Sequence, residues 1–246
     1  MKEERYFYAP DALNSDSLPE EEAIHAQRVL RLKEGNTIHL LDGKGTHAEA
    51  RITLISNKHC RYEIEKTERL CPTWDGHIHL AIAPTKDIGR IEWLAEKATE
   101  IGFNEITFLK TKNSERKIIK TQRIERIIIA AMKQSRKAVK PIVNEMIDFE
   151  DFLKKQTEKQ NYICHCHTEI LRNHLKNLLP QTQHLTPDLQ ENFTLLIGPE
   201  GDFTKEETLT AIETYGHHSV HLGESRLRTE TAALSALFIA NLKRSL

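Results

Sequence analysis

Apolar and polar positions alternate in the first part of the chain and take up a helical period later. Thr37-Ile38-His39-Leu40-Leu41 reads as a short strand running into Asp42-Gly43-Lys44-Gly45, a turn of residues that tolerate positive φ. Ala48 to Ile55 and Arg61 to Lys66 alternate likewise and predict strands at the spacing of a small barrel. Ahead of them, Pro19 to Leu30 predicts a helix with Ile24, Val29 and Leu30 facing inward. The pattern breaks at Cys71-Pro72-Thr73, separating a β domain over 1–70 from a second domain over 75–246.

The second domain alternates strand and helix. His77 to Ala83 predicts a strand, and Asp87 to Ile101 a helix with Ile88, Ile91, Leu94, Ala95, Ala98 and Ile101 on one stripe, closed by Gly102. Asn104 to Leu109 is the next strand, and Gln122 to Arg136 a helix that turns Ile124, Ile127, Ile128 and Ala131 inward. Ile142 to Ile147, Asn161 to Cys166, Phe193 to Ile197 and Ser219 to Leu222 supply further strands. Helices are expected at Phe149 to Thr157, Glu169 to Leu179, Lys205 to Tyr215 and Thr229 to Leu242. This rhythm predicts an α/β fold with a mainly parallel sheet.

Composition narrows the class. Hydrophobic residues are 39% and charged residues 29% of the chain, ordinary for a globular protein with a core. No apolar run approaches the ~18 residues of a membrane span, and Met1-Lys2-Glu3-Glu4-Arg5 leads into no signal-peptide segment, so a cytoplasmic protein is expected. Cys60, Cys71, Cys164 and Cys166 lack C-x-x-C spacing. In Cys164-His165-Cys166-His167 a strand would put thiols and imidazoles on opposite faces, so buried thiols and no metal site are expected. The net charge is −1, yet Lys110 to Lys140 holds eleven Lys or Arg against Glu115 and Glu125. That local +9 can neutralise phosphates and release their counterions. Arg116, Lys117, Arg123, Arg136 and Lys137 are the expected contacts to the phosphates of a polyanion, with His25, Arg28 and Arg31 of the first domain beside them, and a solvated helix face is the alternative reading of the run.

Two late loops carry the candidate chemistry. Leu195-Leu196-Ile197 runs into Gly198-Pro199-Glu200-Gly201, and Thr204 with Glu207 forms a capping box for the next helix. Glycines at the carboxyl end of a parallel strand let backbone approach a ligand, where open α/β sheets bind. His221-Leu222-Gly223 repeats the arrangement before Glu224-Ser225-Arg226-Leu227-Arg228 and the helix from Thr229. Both loops can converge on one pocket, with Glu224, Arg226, Arg228 and Glu230 at its rim, and a surface salt-bridge cluster is the alternative for these four. The first α/β strand ends Ala83-Pro84-Thr85-Lys86-Asp87, without the glycine turn of a dinucleotide fold, and no P-loop or Gly-x-Ser-x-Gly occurs.

Gly198-Pro199-Glu200-Gly201, Leu222-Gly223 and Leu227-Arg228-Thr229-Glu230-Thr231-Ala232 resemble the paired signature of the bacterial 16S ribosomal RNA (uracil-N3)-methyltransferases of the SPOUT superfamily. Arg5-Tyr6-Phe7, His25, Val29-Leu30-Arg31, Lys97 to Gly102, Asn113 to Arg116 and Lys133-Gln134-Ser135 extend the resemblance over nearly the whole chain. Asp202 stands where glycine is expected and Leu227 where isoleucine is usual.

The resemblance implies a PUA-like β-barrel that helps bind ribosomal RNA, a SPOUT α/β domain with a deep trefoil knot, and a homodimer. It implies S-adenosylmethionine (SAM) held by Leu196, Ile197, Gly198, Pro199, Glu200 and Gly201 of the first loop. The second loop would supply Leu222, Gly223, Leu227, Arg228, Thr229, Thr231 and Ala232. Methylation of uracil N3 requires loss of the imide proton. Arg228 and Arg116 are candidates to stabilise the uracil anion, and Glu200 and Glu230 to accept the proton, with a bracing role as the alternative for Glu200. An RNA-binding protein of this fold without catalysis, and a metabolic enzyme holding phosphate in the Gly-Pro-Glu-Gly turn, are the other two classes.

Overall fold

The computed structural model describes residues 4–72, 74, 76–156, 160–179 and 192–244. It divides into two compact units. One is the chain through Pro72 together with Ile129–Lys140, and the other the segments ending at Ile128 and starting at Pro141.

In the first unit, β1 (Tyr6–Tyr8), β2 (Thr37–Leu41), β3 (Thr46–Ser56) and β4 (His59–Arg69) form a mixed sheet in that order. β1 runs parallel to β2 and the other pairs are antiparallel. Alternation puts Phe7, Ile38, Leu40, Ala48, Ala50, Ile52 and Tyr62 into one core with Ala23 and Ala26. Tyr6, His39 and His47 point to the other face. There Leu41 meets Met132 and Ala138, and Gly45 N–H donates to the Ala138 carbonyl at 3.0 Å. Nothing in local sequence announces that 129–140 packs here, because its partners lie some ninety residues earlier.

The expected helix over Pro19 to Leu30 is α1 (Glu20–Ile24) followed by a wider π-type turn, His25–Val29. The widening breaks the 3.6-residue period, and the inward set changes with it. Glu22, Ala23 and Ala26 are buried, whereas Val29 is 65% exposed, which corrects the expectation for that residue.

The second unit is built on a parallel sheet of β5 (Ile78–Ile82), β6 (Glu105–Lys110), β7 (Ile142–Val143), β8 (Ile147–Asp148), β9 (Gln160–Cys164), β10 (Asn173–His174), β11 (Phe193–Ile197) and β12 (His218–His221). The order is β10-β12-β9-β11-β5-β6-β7, with β8 also on β6. β5 and β11 are buried at every position, as strands covered on both faces must be. Helices α2 (Ile88–Ile101), α3 (Thr121–Gln134), α4 (Phe149–Lys155), α5 (Leu175–Leu178), α6 (Lys205–Leu209) and α7 (Thr229–Arg244) connect or follow them. Asp87 caps α2 by accepting from Gly89 N–H at 2.9 Å. The helix expected from Glu169 is only α5, since Asn173–His174 pairs with β12 instead. The expected end of α4 at Thr157 lies outside the described residues.

Three non-glycine residues among those described have positive φ: Arg31, Arg136 and Asp202. Arg136, at φ 57°, closes α3 in a Schellman motif. Its N–H donates to the Lys133 carbonyl at 3.3 Å, and Lys137 N–H donates to the Met132 carbonyl at 3.0 Å. Glycine is the default there, because a side chain in the left-handed region costs roughly 1–2 kcal/mol.

Buried imidazoles give the fold a pH dependence. Burial lowers His79, His165 and His217 to about 4. Each is hydrogen-bonded, His79 to Thr107 at 2.7 Å, His165 to Ser219 at 2.8 Å and His217 to the Ala211 carbonyl at 3.1 Å. These groups are neutral in the fold and near 6.5 when unfolded. Their contribution is complete above pH 6.5 and is lost as the pH falls toward 4, on the order of 1–2 kcal/mol per histidine at pH 5. The thermal midpoint should therefore drop between pH 7 and pH 5, and a flat profile across that range would contradict it.

Candidate functional site

The adjacent strands β12, β9 and β11 end together, and their carboxyl ends surround a cavity of about 420 Å³. Ile197 to Asp202 from β11 and Leu222 to Thr229 from β12 form two of its walls, less Glu224. Cys164, His165, Cys166 and Arg172 form the third. That third wall was missed in the sequence because β9 stops at Cys164, so the strand alternation drawn through His167 does not hold. Its only signal is the rule that neighbouring parallel strands share a ligand-binding end.

Asp202 ties two walls together. Its Oδ2 accepts from Cys166 N–H at 2.7 Å and its Oδ1 from Phe203 N–H at 2.8 Å. Its φ of 61° explains why glycine suits this position, and its carboxylate explains what an aspartate adds. His167 donates from Nε2 to the Phe203 carbonyl at 2.9 Å, and Arg172 from Nη1 to the His165 carbonyl at 2.8 Å. Asn113 Nδ2 donates to the Gly201 and Asp202 carbonyls at 3.1 and 3.0 Å. The turn is thus fixed before any ligand arrives. A Cβ at Gly198 would sit 3.0 Å from Phe203 N, so that glycine serves the turn itself. Gly223 differs: at φ 130° no atom beyond its own chain neighbours lies within 4 Å of where a Cβ would be.

The expected buried thiols are two of four. Cys60 and Cys164 are buried, while Cys71 and Cys166 are exposed. Burial raises both Cys164 and Cys166, and Asp202 pushes in the same direction. Protonated thiols are poor nucleophiles and poor metal ligands. No cluster of three or more His, Cys, Asp or Glu among the described residues can hold a metal ion.

A larger cavity, about 640 Å³, lies elsewhere in the same unit. Lys110, Lys112, Lys117, Asp148 and Glu207 line it, Lys110 is paired with Asp148 at 2.9 Å, and no glycine brings backbone to it. The helix start beside it is closed too. Thr204 Oγ1 accepts from Glu207 N–H at 3.2 Å, and Glu207 accepts from Thr204 N–H at 2.8 Å. The Gly-Pro-Glu-Gly turn therefore does not lead into an open helix terminus of the kind that holds phosphate.

The profile of the RNA methyltransferase domain matches residues 72–241, and that of the RNA methyltransferase PUA domain matches residues 18–65. The ribosomal RNA small subunit methyltransferase E of Synechocystis sp. is 30% identical over 223 residues, 87% of this chain and 68% of that protein. The chain belongs to this RNA methyltransferase family. Among solved structures, a Porphyromonas gingivalis protein described as a "probable rRNA-methyltransferase" is 38% identical, covers 98% of both chains and gives a TM-score of 0.87. A Legionella pneumophila protein described as a "putative methyltransferase", with the cofactor SAM bound, is 26% identical over 98% of both chains with a TM-score of 0.84.

Of the residues expected at the methyltransferase pocket, Ile197, Gly198, Pro199, Glu200, Gly201, Leu222, Gly223, Leu227, Arg228, Thr229 and Ala232 line the cavity. Leu196 is buried on a core face of the sheet, and Thr231 is exposed on α7. Glu230 does not line it. It is buried in the first turn of α7 with Oε1 4.0 Å from Arg90 of α2, and its Oε2 has no hydrogen-bond partner. Arg116 reaches the site's border, where Nε donates to the Thr85 carbonyl at 3.0 Å and Nη2 to the Lys86 carbonyl. Lys86 N–H in turn donates to Glu200 Oε1 at 3.1 Å.

The basic run is less bare than its sequence. Acids from other elements pair with it: Glu92 with Arg123 at 2.6 Å, Glu22 with Lys133 at 2.6 Å and Glu4 with Arg136 at 2.9 Å. His25, Arg28, Arg31 and Lys117 are exposed, and Lys137 is half-buried, which lowers its pKa.

Asp202→Ala removes both acceptors and keeps the unfavourable φ, so it should destabilise the protein by about 1–3 kcal/mol in urea unfolding. Asp202→Gly should lose less, because it relieves the backbone. Equal midpoints for wild type and Asp202→Ala would contradict the clamp.

Proposed function

We propose that this chain transfers a methyl group from SAM to N3 of a uridine in 16S ribosomal RNA, as a cytoplasmic homodimer. The observation that carries this is the cavity at the ends of β9, β11 and β12, made of backbone turns in a chain whose family modifies RNA. The solved relative with bound SAM supports the cofactor, and the names of the curated relatives support small-subunit ribosomal RNA as the substrate.

The cavity suits SAM. Its size lies within the range of small-molecule sites, ~300–1,000 Å³. Leu222, Leu227, Ile197 and Ala232 offer apolar contact, and Gly223 leaves open the space a side chain would fill. Backbone groups of Ile197 to Gly201 and Leu222 to Ala232 would hold the cofactor, which supplies a sulfonium methyl when bound.

The imide nitrogen must shed its proton to attack. Arg228, exposed at the cavity wall, is positioned to stabilise the developing uracil anion. Arg116 has two of its N–H groups committed to the 85–86 carbonyls, so it holds that loop and offers the remainder to the base. Glu200 keeps Oε2 for the proton while Oε1 takes the Lys86 N–H. Buried Glu230 fits a positioning role at the start of α7 better than proton transfer.

The finer architecture agrees with the same reading. β11 lies between β5 and β9, and β12 between β9 and β10, so two late strands enter interior positions of the sheet. That order supports a trefoil knot of the SPOUT type, and the bulged four-stranded sheet supports a PUA-like barrel. Phe238 and Leu242 of α7 and Trp93 of α2 are roughly half exposed, an apolar surface suited to a second copy.

The test is transfer of labelled methyl from SAM to small-subunit ribosomal RNA or to assembled subunits, followed by nucleoside analysis. Wild type should yield N3-methyluridine. Gly223→Val, which fills the open space at a left-handed φ, should lose at least tenfold in SAM affinity by calorimetry while remaining folded. No transfer to either substrate, or unchanged SAM affinity in the variant, would refute the reading.

A further inference from the structure

Arg136 is in a place where its backbone is uncomfortable and its side chain is well supported. Its Cζ lies 5.4 Å from the centre of the Tyr6 ring, within cation–π range. Tyr6 stacks on His39 with centroids 4.9 Å apart and planes 23° apart. His47 lies edge to edge with His39 in nearly the same plane, with centroids 5.2 Å apart and planes 17° apart, and widens the layer beneath Tyr6. The ladder crosses β1, β2 and the start of β3, and all four groups belong to the first unit.

Hydrogen bonds hold each member at its edge and leave the faces for stacking. Glu4 accepts from Arg136 Nη1 at 2.9 Å and from the Tyr6 hydroxyl at 3.2 Å. His39 Nδ1 meets His47 Nε2 at 3.0 Å, and His47 Nδ1 meets Glu68 at 2.8 Å. The Arg136 side chain remains 61% exposed although its guanidinium lies over the Tyr6 ring and Nη1 is held by Glu4.

Stability alone gives no reason for arginine here. An exposed ion pair and an exposed cation–π contact return little, no more than the left-handed backbone costs. Glycine would close α3 without that cost. An uncomfortable backbone maintained for an exposed, planar, pre-oriented cation points to a ligand for the plane. Unpaired bases stack on aromatic rings and on guanidinium planes.

We propose that the Arg136 guanidinium, backed by Tyr6, His39 and His47, is a stacking platform for one unpaired base of the RNA. This rests on the reading of the chain as an RNA methyltransferase. It adds a contact in which the plane of Arg136 matters as well as its charge, so lysine cannot substitute.

The experiment measures binding of a labelled single-stranded fragment of small-subunit ribosomal RNA at fixed salt, with wild type, Arg136→Lys and Arg136→Gly. Arg136→Gly should melt at or above the wild-type temperature and bind SAM normally, yet lose about 5- to 100-fold in RNA affinity. Arg136→Lys keeps the charge and should lose most of the same factor. If Arg136→Lys binds like wild type, Arg136 is a point charge and the platform is wrong. If Arg136→Gly binds like wild type while wild type still methylates the RNA, the platform fails and the enzymatic reading stands. If wild type neither binds nor methylates the RNA, both fail together.

Discussion

Strand β11, Phe193–Ile197, is buried throughout and hydrogen-bonded to a parallel neighbour on each side, β9 and β5. A strand so enclosed can carry nothing polar along its length beyond what its neighbours satisfy, and Thr194, bonded to Gln156, is its one polar side chain. Chemistry must therefore gather where the strand stops. Because β9 and β12 run the same way in register, they stop at the same level. The Gly198 turn, the Cys166 loop and the Gly223 loop are brought together by that constraint, and Asp202 fastens the first two.

The second unit was largely legible from its sequence because its central elements are buried on a strong period. β5, α2, β6, α3, β11 and α7 fall within one or two residues of their expected ends. What failed was short or non-local. Three-residue β1 is defined by pairing with β2, some thirty residues away, and has no local signature. Asn173–His174 is drawn out of the expected helix by β12. The widened turn after Ile24 changes which residues face inward, and no propensity marks it. At the site, both glycine loops announced themselves, whereas the Cys164–Cys166 wall had only its neighbours' direction to betray it.

Charge was legible as composition and misleading as exposure. The segment Lys110 to Lys140 has two acids of its own, but the fold brings Asp148, Glu92, Glu22 and Glu4 to its cations. Pairing does not abolish a role with RNA, since an exposed pair exchanges partners at small cost. It does make geometry more informative than a count. Arg116 is defined by the carbonyls it holds and Arg136 by the ring beneath it. Their charge alone distinguishes neither from its neighbours.

The central claim is that the cofactor occupies the crevice where the three parallel strands end. Amide hydrogen exchange with and without SAM tests it directly, because ligand contact protects backbone N–H groups that are otherwise exposed to solvent. Protection should appear in residues 198–204 and 222–228, with a smaller effect at 165–167. Protection confined to the lysine-lined cavity around 110–117 and 148–153, with those loops unchanged, would contradict the account.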